Sequence, residues 1–209
     1  MFGAYASFYI GNSSLFLEVL KKTSQEPTTN YDNEGTGLYS NLMLPIGDWS
    51  LLVEYKNYNF IKLSPLDKDN FINQFGYHAD FINPPPGYYE HTTILNGRIA
   101  RQANINDEIG YQVKLSGPIG INHTASINIA KASQHQSWIQ NDNYEWETDK
   151  AIDGMPSSKA FAIPYNEIFI NFDGNFFNHK LFYEIGWSSI KDVEYLFANR
   201  NLNNAPFRL

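Results

Sequence analysis

The chain has no cysteine, which excludes disulfides and thiolate metal sites. It is also short of basic residues: 15 Lys and Arg stand against 22 Asp and Glu, for a net charge of −7. Phosphate binding needs a basic face, so nucleic acid is excluded as a main partner. No apolar run reaches the roughly 18 residues of a transmembrane helix, although that test is blind to barrels, whose strands alternate apolar and polar residues. Helical periodicity is nearly missing, with one short candidate at about Lys191 to Phe197. There is no G-x-S-x-G, P-loop or dinucleotide fingerprint, so no enzyme active site and no cofactor are expected.

What the chain does have is aromatics and alternation. Aromatic residues make up 16% of it, with 14 Tyr and 15 Phe. The period is two almost throughout. In 108–116, Ile109, Tyr111, Val113 and Leu115 oppose Glu108, Gly110, Gln112 and Lys114. Segment 122–130 sets Ala125, Ile127 and Ile129 against Thr124, Ser126 and Asn128. Segment 49–58 sets Trp49, Leu51, Val53 and Tyr55 against Glu54 and Lys56, and 177–187 sets Phe177, Leu181, Tyr183, Ile185 and Trp187 against Lys180 and Glu184. Weaker strands are expected at 3–10, 14–22, 35–46 and 163–172. Lengths of roughly ten residues suit tilted strands that cross a hydrocarbon layer.

Connection lengths alternate as well. Gly11-Asn12-Ser13, Gly47-Asp48, Gly117-Pro118-Ile119-Gly120 and Asp173-Gly174-Asn175 are turn formers, while 23–34, 62–107 and 132–162 are long. Outer-membrane barrels show this asymmetry, with short periplasmic turns and long outer loops. On that orientation strand 3–10 runs inward from the surface and 177–187 runs outward, leaving 188–209 outside. The expectation is eight strands of a larger barrel lacking partner strands at both ends. The start is consistent with that, since Met1 runs straight into the strand-like Phe2-Gly3-Ala4-Tyr5-Ala6 with no signal peptide. Segment 90–101 has strand character, but a strand there would break the alternation, so it is assigned to the long connection.

Residues on the polar side of the strands are the candidate lumen lining: Glu18, Glu54, Lys56, Glu108, Gln112, Lys114, Lys180 and Glu184, with Lys22 on the same side. Mixed charge along a wall can select solutes, although any barrel interior needs polar residues to wet it. Arg98 and Arg101, if folded inward, are constriction candidates able to bind anionic groups; a solvated surface loop is the plainer alternative. The five His, including His78-Ala79-Asp80, lack a second ligand at zinc spacing. Asp67-Lys68-Asp69 and the Asp142, Glu145, Glu147 and Asp149 group match no EF-hand, and no metal site is expected. Phe8, Tyr9, Trp49, Tyr55, Phe60, Phe172, Phe177, Tyr183 and Trp187 lie toward strand ends, as interfacial girdles require.

One stretch carries a resemblance. Pro84-Pro85-Pro86-Gly87-Tyr88-Tyr89-Glu90-His91-Thr92 through Leu95-Asn96-Gly97-Arg98, followed by Asp107-Glu108-Ile109-Gly110-Tyr111-Gln112, resembles a Bacteroidetes family of porin-like outer-membrane proteins of unknown function. Glu54-Tyr55-Lys56-Asn57-Tyr58 and Gly3-Ala4-Tyr5-Ala6-Ser7 are also similar. The resemblance implies location and architecture and brings no catalytic residues.

The expectation is therefore an all-β chain, one domain over 1–209, forming part of an antiparallel up-and-down transmembrane β-barrel in a bacterial outer membrane. Its partners would be outer-membrane lipid and lipopolysaccharide, and small solutes if it is a passive channel rather than a scaffold. The alternatives are a soluble all-β module that binds carbohydrate or another ligand by aromatic stacking, and a barrel enzyme with a site at its outer rim.

Overall fold

The computed structural model describes residues 2–25, 32–59, 107–140, 146–151, 154–159, 162–177, 179–191, 193–194 and 207–208. These form twelve strands: β1 (Phe2–Ile10), β2 (Ser13–Gln25), β3 (Asp32–Ile46), β4 (Trp49–Asn59), β5 (Asp107–Pro118), β6 (His123–Ser133), β7 (Gln136–Gln140), β8 (Trp146–Ala151), β9 (Tyr165–Phe176), β10 (Leu181–Lys191), β11 (Val193–Glu194) and β12 (Phe207–Arg208). Eight of them make one antiparallel up-and-down sheet in the order β1-β2-β3-β4-β5-β6-β9-β10. The sheet is not closed into a barrel: among the described residues, nothing pairs with the outer edge of β1 or of β10. The pairs β7–β8 and β11–β12 are separate small ribbons.

Turns join these strands on one side at residues 11–12, 47–48, 119–122 and 177–180, and the intervals 26–31, 60–106 and 134–164 lie on the other. Gly11 and Gly47 sit at φ 59° and 61° while Asn12 and Asp48 keep negative φ. A positive φ at the first central residue alone is the II′ arrangement, whose twist matches that of the flanking strands.

Register runs unbroken through the eight strands. One row, Tyr9–Ser14–Met43–Leu52–Lys114–Asn128–Phe169–Ser188, crosses all of them. Past that row β1 continues one residue to Ile10, whereas β9 continues seven to Phe176. Turn level thus slides by six residues across six strand spacings. One residue of rise per spacing (about 3.4 Å against about 4.8 Å) inclines the strands by about 35° to the normal of the line of turns.

Two expected elements move. Asp173-Gly174-Asn175 is not a turn: it lies in β9, where Thr124 faces Asp173 and His123 faces Gly174 on β6. Pairing with β6 outweighs local turn preference, and the reversal falls at 177–180, with Phe177 and His179 at φ 54° and 65°. Non-glycine residues in that region cost about 1 kcal/mol each, which the added ladder offsets. Strand 177–187 accordingly becomes Leu181–Lys191, and Lys180 leaves the strand for the turn. The shift of four is even, so Tyr183, Ile185 and Trp187 keep their expected face. The helix candidate also fails where it is described, since Lys191 ends β10 and Val193–Glu194 pairs with Phe207–Arg208. Segment 90–101, Arg98, Arg101, Phe60, His78 and Asp67 to Asp69 lie outside the described residues.

At the turn end, aromatic rings lie over cross-strand glycines. Trp49 covers Gly117, and His123 covers Gly174, which stands directly opposite it in register. A Cβ on Gly174 would meet the His123 ring and stand 2.7 Å from the Asn122 carbonyl oxygen, which is backbone and cannot rotate away. Gly174→Ala is expected to lose about 1–3 kcal/mol of stability, measured by urea unfolding of the refolded protein.

Candidate functional site

Register assigns every strand residue to one of two faces, because cross-strand partners share a face. One face is apolar: Leu15, Leu17 and Val19 on β2, Leu38 to Ile46 at alternate positions on β3, Trp49 to Tyr55 on β4, Ile109 to Leu115 on β5, Ala125 to Ile129 on β6, Ile168 to Phe172 on β9, and Leu181 to Trp187 on β10. The charged residues at strand positions on this face are Lys21, Asp32, Glu34, Asp107, Lys131 and Lys191, and all lie near the ends leading to the longer intervals. Below them is a band free of charge down to the turns.

The opposite face holds Glu18, Glu54, Lys56, Glu108, Gln112, Lys114 and Glu184, so seven of the expected lining residues share one surface. Lys180 is instead an exposed turn residue. Rows on this face explain who meets whom: Asn41–Glu54–Gln112–Ala130–Glu167 forms one, Tyr39–Lys56–Gly110–Ala132–Tyr165 the next, and Tyr58 faces Glu108 beyond.

The contacts follow the rows. Tyr39 Oη donates to Glu54 Oε1 at 2.7 Å, and Asn41 Nδ2 donates to the same oxygen at 3.0 Å. Lys56 Nζ lies 3.6 Å from Glu108 Oε1 and 4.4 Å from the centroid of the Tyr58 ring. Tyr165 Oη donates to Glu167 Oε2 at 3.0 Å. Tyr5, Phe16 and Tyr39 form an aromatic ladder over β1 to β3, with centroids 6.2 and 6.1 Å apart.

Burial is inverted relative to a water-soluble sheet. Lys56 is 0% exposed, and Glu108, Glu167 and Asn128 are 1% exposed, all on the polar face. On the apolar face Ile127 is 39%, Trp187 56% and Ile185 64% exposed. Charged side chains are almost never fully buried unless paired, and here they occupy the enclosed side while the aliphatic side chains look outward.

Sequence reading missed Glu167 and Asp173 on this face, and put Asn128 on the polar side without counting it among the lining residues. The alternation around Glu167 was available, but Phe169 interrupts the polar parity of β9 and hides it. It also missed a second cluster at the end opposite the turns. There His135, buried, has Nδ1 2.7 Å from Asp107 Oδ1 and Nε2 2.8 Å from Asn57 Oδ1. Asn57 Nδ2 donates to Tyr55 Oη at 3.1 Å, and Tyr55 Oη donates to the Gly154 carbonyl at 3.0 Å. Lys131 Nζ donates to Ser158 Oγ at 3.0 Å, and Ser157 N–H to Ser133 Oγ at 2.9 Å. These bonds fasten 154–158 to β4 and β6, while His135 ties Asp107 of β5 to Asn57 of β4. The cluster presents no activated nucleophile; Ser133 Oγ donates to the Gln134 carbonyl at 2.8 Å.

No family model, curated protein or solved structure matches this chain.

The Lys56–Glu108 pair is buried, so removing one partner should cost more than removing both. Lys56→Met is expected to lose about 3–5 kcal/mol, and Lys56→Met with Glu108→Gln distinctly less. A double-mutant cycle by equilibrium unfolding checks this; additive losses would show that the two groups are not coupled.

Proposed function

We propose that this sheet is the wall of a porin-like transmembrane β-barrel in a bacterial outer membrane, its polar face lining a lumen through which small solutes pass without chemistry. The observation that carries the reading is the inverted burial in mid-sheet: Lys56, Glu108, Asn128 and Glu167 are buried while Ile127, Ile129, Ile168 and Phe172 are exposed. The charge-free band runs about 26 Å along β2 and β6 and about 33 Å along β5 and β10 at about 3.3 Å per residue, or about 22–27 Å across at the tilt of about 35°, comparable with the apolar band of about 25 Å of outer-membrane barrels. The stagger of the turns supports it too, because a barrel wall must tilt its strands by roughly 35–45°. Trp49, His123, Phe176 and Tyr183 at the turn end, and Tyr55 and Tyr111 toward the other, suit headgroup contact at both interfaces. The similarity to the Bacteroidetes porin-like family points the same way. Outer-membrane lipid and lipopolysaccharide are the partners that such an outer surface takes.

A soluble ligand-binding module would expose the same apolar face, on the order of 1,000 Å² across eight strands, where soluble monomers rarely expose more than a few hundred.

Two neighbouring substitutions separate these readings. Ile127 faces outward in mid-band, and Ser126 faces the opposite side in a row of small residues, Ser50–Ser116–Ser126–Asn171. In a membrane wall Ile127→Arg should destabilise folding into lipid bilayers by about 2–4 kcal/mol, with Ser126→Arg close to neutral. A soluble module tolerates Ile127→Arg, an exposed site. Fractionation of the full-length protein with the soluble proteins in the absence of detergent would overturn the proposal.

A further inference from the structure

We infer that the lumen prefers cations, with the sign of that preference set by the strand wall itself; this rests on the channel reading above. The polar face carries six carboxylates at strand positions, Glu18, Glu54, Glu108, Glu167, Asp173 and Glu184, against three lysines, Lys22, Lys56 and Lys114. Lys56 is matched to Glu108 across 3.6 Å. Five carboxylates and two lysines remain on the wall.

Three further observations bear on this excess. The 60–106 interval contains Lys62, Lys68, Arg98 and Arg101 together with Asp67, Asp69, Asp80 and Glu90. Its formal charge is zero, so it leaves the balance of the wall unchanged wherever it lies. The 134–164 interval adds five acids, Asp142, Glu145, Glu147, Asp149 and Asp153, and two lysines, Lys150 and Lys159. Its formal charge is −3. At the turn end Asp173 and Glu184 face each other directly across β9 and β10. Like charges in opposed positions repel across about 5 Å, and a mobile cation near them relieves that repulsion. The acidic character therefore extends along the whole length of the wall rather than sitting at one point. A low-dielectric wall focuses such a field into the aqueous path.

The preference must weaken with salt, because the screening length falls from about 10 Å at 0.1 M to about 3 Å at 1 M. The test is the reversal potential of the full-length protein in planar bilayers under a potassium chloride gradient. Potassium is expected to be more permeant than chloride by roughly threefold or more near 0.1 M, falling toward unity near 1 M. Asp173→Asn with Glu184→Gln, both near the turn end and not needed for the buried pair, should lower the ratio. Lys114→Glu should raise it. Conductance with chloride preferred would overturn the inference while leaving the channel intact, and would direct attention to Arg98 and Arg101. Conductance indifferent to these substitutions would equally overturn it. Absence of any conductance would overturn the channel reading, and the inference with it.

Discussion

Everything in this molecule depends on an unbroken two-residue register. A slip of one residue in any pair would exchange the two faces of a strand. Here such a slip would put Lys56 and Glu108 outward and turn Val53 and Ile109 toward the enclosed side. The ladder from Tyr9 to Ser188 crosses eight strands without a bulge, so the separation of polar from apolar survives over the full width of the sheet. The two-residue turns at Gly11-Asn12 and Gly47-Asp48 help to fix it, because a II′ turn dictates which residues face each other at its mouth. The glycines under Trp49 and His123 fix it again at the same end, where one opposed pair accommodates a large ring only because its partner has no side chain.

Inverted burial then follows from the register and sets the energetics. Sheets in water gain stability by hiding the aliphatic face. This one leaves much of that face open and buries Lys56, Glu108 and Glu167 on the other, an arrangement that requires the buried groups to find one another. The polar rows meet that requirement locally. Glu54 is held by Tyr39 and Asn41, Glu167 by Tyr165, and Lys56 sits between Glu108 and the Tyr58 ring. At the opposite end from the turns the outward surface changes character within one or two residues, from Tyr55 to Asn57 and from Ile129 to Lys131. There the 154–158 segment is fastened by hydrogen bonds with Tyr55, Lys131 and Ser133.

Much of this was legible in the sequence because parity is a local property. Ile109, Tyr111, Val113 and Leu115 declare their common face without knowledge of a neighbour, and so do Trp49, Leu51, Val53 and Tyr55. What was not legible depends on partners distant in the chain. Asp173-Gly174-Asn175 has good turn chemistry, yet the register with His123 and Thr124 fifty residues earlier keeps it in a strand. The reversal moves to Phe177 and His179, residues that no turn rule would select. His135 gains its meaning from Asp107 and Asn57, separated from it by 28 and 78 positions. Glu167 was concealed by a single phenylalanine at a polar position. Face membership was legible where one strand sufficed and hidden where two had to meet.

The stagger of the turns also divides what the wall determines from what its edges determine. One residue of slide per strand sets a tilt of about 35° whatever the strand number, while diameter grows with the number of strands that close the ring. Strands β1 and β10 run antiparallel to each other, since an even number of alternating strands separates their directions, and residues on both faces of each are exposed. Free edges of this kind invite a further antiparallel strand. Closed on itself at about eight strands, the ring would have an interior that side chains nearly fill. The charges on the polar face would then act chiefly as a packed network, of which the Lys56–Glu108 contact is already an example. Each pair of strands added at the edges widens the ring and frees more of that face for water. On the proposed channel reading the bore is thus a property of the edges, whereas these eight strands fix their own share of the charge on the inner face.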